Sequence, residues 1–169
     1  PMQVILADRQ EINESEHGFD LTMSLVGLAS ALKREHPFAF IGADRPTEPL
    51  GPVYSRDTGF RAFEEQIAST LKDPNLGQSL NLGDALTEPY NYLIGQRAPR
   101  ESTVYLVVGG VLNEDPVRVV GNLTPIVGMF KESGWPIVGL TLPGTSPAVR
   151  ELLREISTDS GGDLFELSV

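Results

Sequence analysis

Short apolar runs alternate along this chain with longer stretches whose apolar residues recur three or four positions apart. The longest run, Ser102 to Gly110 (STVYLVVGG), is rich in β-branched residues and ends in two glycines. An unbroken run of that kind reads as a strand buried on both faces, at the centre of a parallel sheet. Gln3 to Ala7 and Pro136 to Leu142 are the strands expected on either side of it. Phe38 to Gly42 and Asp163 to Leu167 complete the set, with Val53 to Ser55 as a short edge strand.

The intervening stretches carry the helical period. After an acidic loop from Arg9 to Gly18, Asp20 is the expected cap of a helix with Leu21, Leu25, Leu28, Ala29 and Leu32 at amphipathic spacing. Pro46, Pro49 and Pro52 rule out a regular element from Arg45 to Pro52. Phe60, Phe63, Ile67 and Leu71 mark one helix face, and Leu82, Leu86, Tyr90 and Leu93 another, disturbed by Pro89. Val117 to Ser133 is apolar around most of its circumference, which predicts a well-buried helix ending at Gly134. Ser146-Pro147 opens a last helix with Val149, Leu152, Leu153 and Ile156 inward, closed by Gly161-Gly162. Strand and helix alternate throughout, so the chain reads as α/β: a three-layer, doubly wound, mostly parallel sheet in one domain, 1–169, of a longer chain.

Composition narrows the function classes. The net charge is −10, from 13 Lys+Arg against 23 Asp+Glu, which speaks against a phosphate-backbone partner; no nucleic acid is expected. No run approaches the ~20 apolar residues that cross a bilayer, so direct membrane insertion is not expected either. The absence of cysteine removes thiolate chemistry and Cys-based zinc sites. No phosphate-cradling glycine motif follows Gly109-Gly110, and no nucleophile elbow occurs.

Two stretches resemble the von Willebrand factor A family. Asn81-Leu82-Gly83-Asp84-Ala85-Leu86 matches the family's N-L-G-x-A-L turn into a helix. Leu140 to Gly144 and then Leu152 to Leu167 (LLREISTDSGGDLFEL) match its closing helix, glycine pair and aromatic-bearing strand. The resemblance implies a mostly parallel sheet with the third strand antiparallel at an edge, and a role in binding protein, often through a divalent cation. The family builds that cation site from D-x-S-x-S after strand one, a threonine in a second loop and an aspartate after the central strand. A hard cation takes such oxygen ligands and leaves a position for a partner's carboxylate. Here Asp8 stands in place, but the serine positions hold Gln10 and Ile12, the threonine position Leu80 and the aspartate position Gly109. A shift of the first loop by a few residues would bring Glu11, Asn13, Glu14 or Ser15 near, leaving Leu80 and Gly109 unsuited. The expectation is a degenerate site with no metal and no other cofactor.

Glu11, Glu14 and Glu16, with Asn113, Glu114 and Asp115, read as two solvated loops, or as an acidic rim that meets a basic partner or recruits calcium in another geometry. His17 reads as an exposed loop residue and His36 as a solvated one at a helix end. Trp135 reads as packing. The reading is a non-catalytic interaction or structural domain, its partner another protein or another domain of its parent chain. Asp8, Gln10, Glu11, Asn81, Asn113 and Glu114 are the polar residues expected at the crevice. The alternative is an α/β enzyme, a metal-assisted hydrolase gathering Asp8, Glu11 and Glu114.

Overall fold

The computed structural model describes residues 1–43, 48–73, 81–108 and 116–166. Among these residues, six strands form one sheet in the order β3-β2-β1-β4-β5-β6: β1 (Gln3–Ala7), β2 (Pro37–Gly42), β3 (Leu50–Tyr54), β4 (Thr103–Val108), β5 (Ile137–Thr141) and β6 (Leu164–Glu166). Every pairing is parallel except β2 with β3. The α/β fold expected from the alternation is the one observed, and the run beginning at Ser102 supplies the strand between β1 and β5. The helices are α1 (Arg9–Glu14), α2 (Gly18–Leu32), α3 (Phe60–Leu71), α4 (Leu82–Gly95), α5 (Pro116–Ser133) and α6 (Pro147–Ser160).

Strand alternation divides the core in two. Val4, Leu6, Ala39, Ile41, Val104, Leu106 and Ile137 face α4, α5 and α6. Ile5, Ala7, Phe38, Phe40, Val107 and Leu140 face α1, α2 and α3. The first face is anchored by Tyr90, Phe130 and Trp135, whose rings lie 5.5 to 6.4 Å apart. Trp135 Nε1–H donates to the Pro99 carbonyl at 3.0 Å, so the tryptophan is packed as its sequence context implied.

Several local expectations change. The stretch after β1 is not a loop: Asp8 caps α1, which turns Ile12 into the core. α2 starts at Gly18 with His17, not Asp20, at its N-cap position. The reason is contact, since a Cβ at Gly18 would lie 2.7 Å from the Ile12 carbonyl oxygen, and only glycine lets α2 begin so close to α1. Its buried face is Gly18, Thr22, Val26, Ala29 and Ser30 rather than the leucine spacing. Pro52 lies inside β3, where an edge position and a register shift in the pairing with β2 accommodate it. α4 runs through Pro89, which is buried. The described part of α5 buries Leu123, Val127 and Phe130 but exposes Thr124 and Lys131, so it is amphipathic there. α6 agrees with its sequence signals: Ser146 Oγ accepts from the Val149 amide, and Gly161 takes the left-handed C-cap conformation. No described helix is long and apolar enough to cross a membrane.

Candidate functional site

The parallel strands carry their carboxyl ends to one edge of the sheet, where ligands of open α/β folds bind. β1 delivers Asp8 there. Its backbone amide donates to the Val107 carbonyl at 3.3 Å, and the adjacent Ala43 amide donates to the Ala7 carbonyl at 2.8 Å, so the start of α1 is fastened to both neighbouring strands. Asp8 is 7% exposed, and its side chain accepts from the Glu11 amide at 3.1 Å. That bond satisfies one of the open amides of the first helical turn, and the carboxylate also favours the positive end of the helix.

The residues that follow take three directions. Arg9 is buried and its guanidinium reaches the Thr70 hydroxyl at the end of α3. Gln10 is exposed, its amide 3.5 Å from Glu14 Oε1. Glu11 is half-buried, and Ile12 is fully buried among Ile5, Val26 and the α3 aromatics. Of the two positions where the family places serines, one therefore points to solvent on a helix and the other sits in hydrocarbon.

Asn81 begins α4, which descends to the amino end of β4, so Asn81 belongs to the same carboxyl-end edge. Its side-chain oxygen accepts from the Asp84 amide and its amide donates to the Asp84 carboxylate, both at 2.9 Å. The pair is a closed capping arrangement on an exposed surface. Asp84, in the first turn, complements this helix start. Asp8, Gln10 and Glu11 thus share one helix start, with Asn81 at the head of another helix. Asn113 and Glu114, together with Leu80, Gly109 and Asp115, lie outside the described residues.

Among the described residues, no three His, Asp or Glu side chains converge as metal ligands would. His17 is 3.8 Å from Glu16 and half-buried at the N-cap position of α2, not on an exposed loop. A groove of about 230 Å³ lies between α5 and α6, lined by Leu123, Val127, Gly128, Lys131, Glu155 and Asp159 among others. It contains none of Asp8, Glu11 or Asn81.

Sequence reasoning missed a polar set at the opposite edge. Gln3 is buried; its Oε1 accepts from the Tyr105 hydroxyl at 2.6 Å and its Nε2 donates to His36 Nδ1 at 3.0 Å. His36 is half-buried rather than solvated, and its pKa is lowered, first by burial and then by the charges of the amino terminus and Lys33. Burial raises the Tyr105 hydroxyl. A glutamine opening an otherwise apolar strand was the available signal.

No family model and no curated protein matches the sequence. Solved structures do. A von Willebrand factor type A protein from Catenulispora acidiphila superposes with a TM-score of 0.74 at 14% identity, over 99% of this chain and 38% of that one. The fold is that of a von Willebrand factor A domain. BatB from Bacteroides thetaiotaomicron gives 0.66 at 14% identity, over 99% of this chain and 91% of that one. Proximal thread matrix protein 1 of the mussel byssus, in a form with a zinc-occupied MIDAS motif, gives 0.59 at 13% identity, over 98% and 43%. The chain thus spans less than half the length of the first and third of these proteins, and nearly all of BatB. The antiparallel edge strand that the family resemblance implied is β3.

Proposed function

We propose that this von Willebrand A-type domain is a non-catalytic protein-binding module that works without a resident divalent cation. The observation that carries the reading is the use of Asp8. Its carboxylate serves as the N-cap of α1, and the same short helix buries Arg9 and Ile12. A cation at this edge would need Asp8 together with oxygen ligands from the following turn, and that turn offers Gln10 on its outer surface and Ile12 in the core.

The partner is another protein or another domain of the parent chain, met through a basic surface. Glu11, Glu14 and Glu16 border the α1–α2 junction, and the chain as a whole carries a net charge of −10. Charge of that sign steers association with a basic partner more than it adds affinity, and it disfavours nucleic acid.

The test is calorimetric titration of the folded domain with magnesium, manganese and calcium, on the wild type and on Asp8→Ala. The expected result is no saturable heat at millimolar ion in either protein. Saturable binding in the wild type that Asp8→Ala abolishes would overturn the reading.

A further inference from the structure

α2 carries two apolar faces, and the sheet uses only one. Its buried face is made of small and hydroxyl residues. Leu21 and Leu25 are half-buried, while Leu28 and Leu32 are 61% and 72% exposed. These four leucines follow a four-three-four spacing, the alternating core positions of a coiled-coil seam. Ser24 and Ala31 beside the seam are exposed and small, so another helix backbone can approach closely. The opposite flank of α2 is occupied, because Phe19 lies under the Lys72 ammonium at 4.3 Å, at the end of α3. Leu21 and Leu25 also touch the core cluster on their inner side, so the free part of the stripe is Leu28 and Leu32 with the outer edges of the other two.

We propose that the domain pairs with a second copy of itself through this flank, α2 against α2 in antiparallel orientation about a twofold axis. The occupant is a second copy because the flank is complementary to itself in that orientation, in charge as well as in its apolar stripe. Antiparallel pairing sets Leu21 against Leu32 of the other copy and Leu25 against Leu28, so every leucine of the seam meets a leucine. It also matches charge. The start of α2 follows Glu14 and Glu16 and carries Asp20, whereas its end leads into Lys33 and Arg34. Glu35, the acidic residue at that end, is engaged by Arg56, which leaves the end basic. Acidic end meets basic end twice, and the two helix dipoles oppose; a parallel pair would set like against like. The seam shares Glu14 and Glu16 with the acidic border of the α1–α2 junction, but the inference does not depend on the absence of a cation at Asp8.

Light scattering across a concentration series reads the mass directly. The expected result is a rise from one chain to two, with Leu28→Glu/Leu32→Glu held at one chain and its thermal midpoint unchanged. Register is read separately. The chain has no cysteine, so Leu21→Cys and Leu32→Cys each stay uncrosslinked alone under oxidation and form a covalent dimer only when mixed. The exposed change Lys33→Glu/Arg34→Glu is expected to weaken pairing roughly tenfold, and adding Glu16→Lys/Asp20→Lys to the same chain to restore it. A wild type of one chain at every concentration overturns the proposal and assigns the stripe to a helix of a different protein. Dimers that survive the double glutamate variant, or single-cysteine variants that crosslink alone, overturn it as well.

Discussion

On the face covered by α4, α5 and α6, large side chains from every helix close over the sheet, and the Tyr90–Phe130–Trp135 cluster fills the amino end. On the other face, α3 packs in the same manner through Phe60, Phe63, Ile67 and Leu71, but α2 meets the sheet with Thr22, Val26, Ala29 and Ser30. The hydroxyls that this requires are satisfied within the helix. Thr22 donates to the Gly18 carbonyl at 2.7 Å and Ser30 to the Gly27 carbonyl at 2.9 Å. A small buried face lets α2 sit close to the strands; Phe19, Leu21, Met23 and Leu25 pack at its margins, and Leu28 and Leu32 are left outside. The first face is committed to holding the fold, and the second keeps apolar and acidic surface available for contact.

That contrast can be broken by substitution. Phe130→Ala, on the closed face, is expected to cost about 3–5 kcal/mol by chemical denaturation. Ile12→Ala is expected to cost about 2–4 kcal/mol, which would establish α1 as part of the core rather than a surface loop. Gly162→Ala should cost about 3 kcal/mol, because a Cβ there would lie 2.0 Å from the Ile137 carbonyl oxygen, and backbone cannot step aside as a side chain can. Leu28→Ala should change stability by less than about 0.5 kcal/mol. If Leu28→Ala instead matched Phe130→Ala, the two faces would be equivalent and the contrast would fail.

The smallest expected effect belongs to His36. Its folded pKa is depressed, and its Nδ1 accepts from Gln3, so the neutral ring is the form that fits. The unfolded chain therefore takes up the proton first. This contribution is present above the unfolded value of about 6.5 and is lost as pH falls below it toward the folded value. Denaturation midpoints at pH 8 and pH 5 should differ less in His36→Gln than in the wild type. An unchanged difference would remove His36 from the pH response.

Where the sequence was legible, one physical signal dominated. β1, β2, β4 and β5 were readable because they are largely buried, so apolar runs marked them without competition, whereas the exposed edge strand β3 begins at Leu50 inside the stretch its prolines had ruled out. α6 was readable because Ser146, Pro147, its inner stripe and Gly161-Gly162 all point to the same boundaries. α2 was misread for the opposite reason. Leucine spacing dominates any count of hydrophobicity, yet the face that packs uses threonine and serine, whose polarity is cancelled by bonds to their own backbone. α1 was invisible because six residues are too few for a period to emerge, and its only signals were a capping aspartate and one inward isoleucine. Asp8, Gln10, Glu11 and Asn81 lie at the carboxyl-end edge of the sheet, at the heads of α1 and α4. That Asp8 and Asn81 act there as helix caps could not be known before the helices they begin were located.

The central claim is that Asp8 holds α1 rather than a cation, and the most direct test compares Asp8→Asn with Asp8→Ala. Asparagine caps a helix nearly as well as aspartate, whereas alanine does not cap it at all. The account predicts that Asp8→Ala lowers stability by about 1 kcal/mol and Asp8→Asn by only a few tenths, with the same midpoints in millimolar magnesium and in chelator. Equal losses in the two variants, appearing only when the ion is present, would contradict it.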